Sequence, residues 1–159
     1  MKRPILLFLL AGLLAALSLP MVNWVLDRPT PGQKARWASL SEPYFAKAAP
    51  VLESHCAACH MKGSHPPFYA ALPLIRGVIR RDITEGLAEL DMQGKLTGSG
   101  NAFSKADRAR IAFVLENGSM PPARYTAVHW RARMTQNDRQ AVLNWLKVRE
   151  KAAPGRERL

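Results

Sequence analysis

The chain has 159 residues, with 23 Lys and Arg against 12 Asp and Glu, a formal charge of +11, and only two cysteines. That length holds one domain or at most two, and 48% apolar with 22% charged residues lies near the globular average. Wholesale disorder, a collagen-like chain and a multi-disulfide scaffold are excluded, and a single long apolar run excludes a multi-pass membrane protein.

Residues 1–28 come first. Met1-Lys2-Arg3-Pro4 precedes an apolar run from Ile5 to Leu26, interrupted after Gly12 only by Ser18, Pro20 and Asn23. A positive flank followed by an apolar core is an export signal. Cleavage after Ala16-Leu17-Ser18 is one reading. The other, favoured here, is a retained anchor: a helix over residues 5–26 would span about 33 Å, enough for a bilayer core of about 30 Å. Trp24 would sit at the far interface, and Lys2 and Arg3 would keep the N-terminus cytoplasmic. Either reading sends residues 29–159 across the membrane. That part alone carries +9, which favours acidic partners. The arginines are scattered, with no aromatic-interleaved stripe and no nucleic-acid module, so no nucleic acid is expected as a partner.

Residues 29–41 read as a linker, because Pro29, Pro31 and Gly32 cannot continue a helix. No repeat and no sustained strand-type alternation follows. Four helices are expected instead. The first runs roughly from Glu42 to Cys59, perturbed by Pro50. The second runs from about Leu74 to Asp91, with Leu74, Ile75, Val78, Ile79, Ile83, Leu87 and Leu90 on one stripe. Gln93 to Asn101 then reads as a flexible glycine-rich loop. The third starts at Ser104 with Asp107 as a capping box, carries Ile111, Val114 and Leu115, and stops at Asn117-Gly118. The fourth starts at Thr135 with Asp138 three residues on, and carries Val142, Leu143, Trp145 and Leu146. Residues 42–150 form the expected domain and 151–159 a charged tail. Such short stripes make a marginal core, which a large apolar cofactor would help to close.

The cysteines stand in Cys56-Ala57-Ala58-Cys59-His60. C-x-x-C-H is the attachment signature of c-type haem: two thiols add across two vinyl groups, and the following imidazole ligates the iron. One covalent haem on Cys56 and Cys59, with His60 as metal ligand, is therefore expected. A disulfide or thioredoxin-like pair would want a βαβ context. A zinc site would need four ligands, which Cys56, Cys59 and two of His55, His60 and His65 supply.

A second axial ligand decides the chemistry, because Met/His ligation favours electron transfer and an open position favours small ligands. The candidates are Met120, Met61, Met92, Met134, His55, His65 and His129. Met120 is best placed, in Gly118-Ser119-Met120-Pro121-Pro122 between two helices, far enough from His60 for the chain to wrap a haem. Met61 adjoins His60 and cannot reach the other face, and His65 is also close. His129 is the rival, with a packing or hydrogen-bonding role as its ordinary reading. Met92 and Met134 read as core or surface residues.

Gly118 to Pro122 followed by a closing helix from Thr135 to Lys147 resembles the second half of class I cytochrome c domains. More narrowly, residues 42–148 resemble the bacterial haem-binding domain family. Cys56-x-x-Cys59-His60 is followed by Pro67-Phe68-Tyr69, then by Asp82-Ile83-Thr84-Glu85-Gly86, then by Met120-Pro121-Pro122 with Tyr125 and His129. The loop from Gly94 to Asn101 departs from the pattern. The resemblance implies an all-α, monohaem, extracytoplasmic domain wrapped around its haem and often tethered to a membrane. The expected protein is thus a single-pass cytochrome of the bacterial inner membrane, with the haem domain in the periplasm. It carries electrons to redox proteins with acidic docking faces, alone or within a respiratory or photosynthetic complex, rather than acting as a stand-alone catalyst. The alternative is a peroxidase-like enzyme or a gas or redox sensor, with His129, His65 and Arg124 enlisted around an open iron.

Overall fold

The computed structural model describes residues 2–151, so the expected tail lies, beyond Lys151, outside the described residues. Among these residues every regular element is helical. The first helix, α1 (Lys2–Leu26), is long and apolar enough to cross a membrane, by length and composition. Most of its described side chains face outward, but Pro20 and Asn23 are buried.

The expected linker contains a helix. In α2 (Pro31–Ala38), Thr30 caps the start: Gln33 N donates to Thr30 Oγ1 at 3.2 Å, and Thr30 N donates to Gln33 Oε1 at 2.8 Å. Pro31 occupies the first helical position, where no N–H is needed. A proline read as a stop is here a start. Helix α2 is fastened by Glu53 of the next helix, whose carboxylate accepts from Trp37 Nε1 (2.7 Å), Gln33 Nε2 (3.0 Å) and Arg36. Burial pushes the Glu53 pKa up, but these donors outweigh it and hold the group below its ordinary range.

Helix α3 (Pro43–His60) starts at Glu42, whose carboxylate accepts from the Tyr44 and Phe45 amides, and runs through Pro50 to the cysteine motif. It packs most extensively against the closing helix α7 (Gln136–Lys151). Phe45 of α3, Trp145 of α7 and Phe103 form the centre of the core, with ring centroids 5.2 to 6.2 Å apart. Helix α5 (Lys105–Asn117) has the expected capping box between Ser104 and Asp107 and ends at Gly118 with φ +68°. Val142, Trp145 and Leu146 are buried on α7, and Ile111 and Leu115 on α5, as expected.

The stretch expected to be a flexible loop is ordered and part of the core. Leu96 and Gly100 within it are buried, as are Met92 and Phe103 on either side. Gly100, at φ +71°, lies against the Phe45 ring so closely that a Cβ there would stand 2.7 Å from Cδ2. The glycine that suggested slack serves close packing.

Helix α4 (Pro73–Glu89) follows a 3₁₀ turn over Phe68–Ala71. Its expected apolar stripe is only partly covered. Leu90 is buried, Ile75, Ile79, Ile83 and Leu87 are half-buried, Val78 is exposed, and the Leu74 side chain lies outside the described ones. The tightest contact of α4 is Gly86, where a Cβ would meet the Cys59 carbonyl oxygen at 2.7 Å. A short helix, α6 (Ala123–Thr126), and a 3₁₀ turn at Trp130–Ala132 complete the chain before α7.

Candidate functional site

The C-terminal turns of α3, together with α4, α5 and the Met120 loop, enclose a cavity of about 490 Å³. That is within the range of roughly 300–1,000 Å³ typical of ligand and cofactor sites. Cys56, Cys59, His60 and Met120 all line it.

On the α3 wall, burial raises the Cys56 thiol to about 12, reinforced by charge on Cys59. Cys59 is raised too, first by burial and then by Asp82, with Arg124 opposing. These are protonated, half-buried thiols, unlike the lowered thiol of a redox nucleophile. His60 Nδ1 donates to the carbonyl oxygen of Leu90 at 3.0 Å. That bond fixes the ring and leaves Nε2 as the nitrogen able to ligate a metal. Among the described residues no three His, Cys, Asp or Glu side chains converge as metal ligands, so the zinc alternative lacks its cluster.

On the opposite wall, Gly118 turns the chain out of α5, and the Ser119 amide donates to Asn117 Oδ1 at 2.8 Å. Met120 follows, lining the cavity at 36% exposure. Pro122 leads into α6, and α6 is tied to α4 by Arg124, whose Nε and Nη2 donate to Asp82 at 3.0 and 2.6 Å.

Of the other candidate ligands, His55, Met92 and Met134 also line the cavity, and His65, Met61 and His129 do not. His129 is buried outside the cavity lining, and both its nitrogens are used. Nδ1 donates to Asp27 Oδ2 (2.9 Å), and Nε2 accepts from the Tyr69 hydroxyl (2.6 Å). Its ring stacks on Tyr125 at 4.2 Å, and Tyr125 does line the cavity. Burial, with the Asp27 charge, raises the Tyr69 phenol to about 12, so it stays a donor. His65 is exposed. Met61 is half-buried against the core beside His60. Met92 and Met134 are at the cavity edge but belong to or pack on the core. His55 Nδ1 donates to the Val51 carbonyl (3.0 Å), and its buried Nε2 has no hydrogen-bond partner.

An apolar cavity with two thiols and an oriented imidazole on one wall suits a haem. His55 Nε2 lies 3.8 Å from Asp138 Oδ2, beyond hydrogen-bond distance. A family model, the haem-binding domain, matches residues 22–148. The chain belongs to the haem-binding domain family. The match begins inside α1, before Asn23, which the expected membrane span of residues 5–26 includes, and Asp27, which follows that span. The haem-binding domain is also 27% identical over 96 residues to a cytochrome c peroxidase, Ccp, of Escherichia coli strain K12. That covers 59% of this chain and 21% of the relative, so the chain spans about a fifth of the relative's length. No solved structure matches it.

Sequence reasoning missed Asp27, Leu90 and the pairing of Asp82 with Arg124. Asp27 had a usable signal: it is the lone acid beside the apolar run. The Leu90 contribution is a backbone carbonyl and left no side-chain trace.

Proposed function

We propose that the protein is a membrane-tethered monohaem c-type cytochrome that transfers electrons in the bacterial periplasm, alone or as a subunit of a larger respiratory or photosynthetic complex. The observation that supports it is the meeting of Cys56, Cys59, His60 and Met120 around one cavity, with His60 Nδ1 committed to Leu90. In this reading Cys56 and Cys59 hold the group through thioether bonds and His60 supplies the proximal nitrogen. Met120 offers a soft, neutral sulfur from the other wall, which favours reduced iron. Haem, when bound, supplies a one-electron iron centre. Tyr125 and Pro122 help to exclude water from the cavity. The net positive charge of residues 29–159 would speed docking on acidic redox partners at low salt.

The match to a peroxidase favours a second reading, a haem module with an open sixth position. That reading needs an acid–base residue beside the iron. Of the residues enlisted for that role, His129 uses both nitrogens outside the cavity, His65 is exposed and outside the lining, and Arg124 is paired with Asp82. His55, Glu85 and Glu89 are the titratable side chains of the lining that the second reading would have to use. The deciding experiment is the reduced absorption spectrum with and without carbon monoxide, on protein whose haem survives denaturing electrophoresis. An unchanged spectrum supports the carrier. A carbon monoxide shift with peroxide turnover supports the second reading.

A further inference from the structure

Outside α1, few large apolar side chains are exposed among the described residues. Two of them stand just before α4, Phe68 (57% exposed) and Leu72 (52%). Arg76 and Arg80 follow Leu72 at four-residue spacing, on the same side of the helix. Both are exposed and have no ion-pair partner among the described residues.

The location of this patch matters as much as its composition. The Phe68 ring meets Tyr69 edge-on at 5.5 Å. The Tyr69 hydroxyl bonds to His129, and His129 bonds to Asp27, the first residue beyond α1. The patch is therefore one hydrogen-bonded chain away from the end of the apolar helix. Apolar side chains mixed with arginine are what segments lying in a lipid interface present, the cations meeting phosphates while the apolar groups enter the acyl boundary.

We propose that the stretch from Phe68 to Arg80 seats on the phospholipid bilayer beside α1, as a second membrane contact. Phe68 and Leu72 enter the interface, and Arg76 and Arg80 bind lipid phosphates. The inference rests on the reading of α1 as a membrane anchor. Continuity with that helix and the charge complementarity of arginine with phosphate select lipid as the occupant. Since α4 runs on from this patch to Asp82 and Gly86 at the cavity, seating its start would fix the direction in which the cavity opens.

The test uses the full haem-loaded chain in lipid nanodiscs containing phosphatidylglycerol and a phospholipid with a photoactivatable diazirine in its acyl chain. After irradiation, mass spectrometry maps the labelled peptides. Labels are expected on residues 4–26 and, separately, on 66–80. Phe68→Ser with Leu72→Ser should lower the second set several-fold, with the α1 labels and haem absorbance unchanged. Arg76→Gln with Arg80→Gln should lower it more in phosphatidylglycerol than in phosphatidylcholine. Wild-type labels confined to α1 would overturn the proposal and leave the patch to a protein partner, with the anchor intact. Labels on neither segment would instead remove the anchor reading and the proposal with it. The wild-type map decides even if the double variant does not fold.

Discussion

The cavity wall built by α3 and the wall built by residues 118–125 differ in how many partners hold them. On the α3 side, His60 is tied to Leu90, Cys59 lies under Gly86 with no room for a methyl group, and the helix packs along α7. On the other side, Met120 is 36% exposed, and its neighbours are steadied by the Arg124–Asp82 pair, of which Arg124 is largely exposed, by the bond from Ser119 to Asn117 and by the stack of Tyr125 on His129. The attachment wall is over-determined, and the ligand wall rests on few contacts. Damage to the first should be read in folding, and damage to the second in chemistry.

The largest expected effect is on the first wall. Cys56→Ser with Cys59→Ser should abolish haem that survives denaturing electrophoresis and leave little folded protein. A double variant that accumulates folded with zinc would break the haem reading itself. Next comes Gly86→Ala, which forces a Cβ into the Cys59 backbone. Overpacking of this kind costs about 1–3 kcal/mol, seen as a lowered melting temperature. An unchanged melting temperature would mean that α4 is free to shift, and the contrast between the walls would collapse.

The ligand wall should behave otherwise. Met120→Ala is expected to lower the reduction potential and admit carbon monoxide, with a smaller fall in melting temperature than the variants of the α3 wall. His129→Ala should do the reverse. It leaves the Asp27 and Tyr69 groups without their partner, costing about 1–3 kcal/mol, while the potential barely moves. Potentiometry and thermal melts on both variants separate the two. A bis-histidine spectrum abolished by His129→Ala alone would exchange their roles.

The most modest effect lies at Glu53. Its pKa is held below the ordinary 4.5, so its contribution is whole above pH 4.5 and is lost as pH falls through the lowered value. Wild type should therefore lose stability on acidification more steeply than Glu53→Gln. Parallel profiles would show that α2 is held by packing alone.

What was legible in the sequence was local. The C-x-x-C-H motif, the boxes at Ser104 and Thr135 and the Gly118 stop each need only a few consecutive residues, and each marks an observed element boundary or cavity wall. Helix α2 was equally legible, since Thr30-Pro31-x-Gln33 is a start signal, but the prolines were weighed only as breakers. The order of the glycine-rich loop was not legible, because Gly100 is specified by the ring of Phe45, far away in the chain. Nor was the fastening of His129, whose partners Asp27 and Tyr69 lie 102 and 60 residues away.

The joint between α1 and the rest of the molecule bears on how a water-soluble form should be cut. Asn23 Nδ2 donates to the Val128 carbonyl at 3.0 Å, Arg131 Nε donates to the Trp24 carbonyl at 2.6 Å, and Asp27 holds His129. Trimming at residue 29, just past the end of the apolar helix, removes all three at once and strips a buried histidine of its carboxylate. A chain beginning at Leu19, the product of cleavage after Ser18, keeps them all. The form beginning at residue 29 should melt lower than the form beginning at Leu19 by more than the loss of a few residues suggests, so the useful boundary for an excised haem domain lies inside the hydrophobic helix.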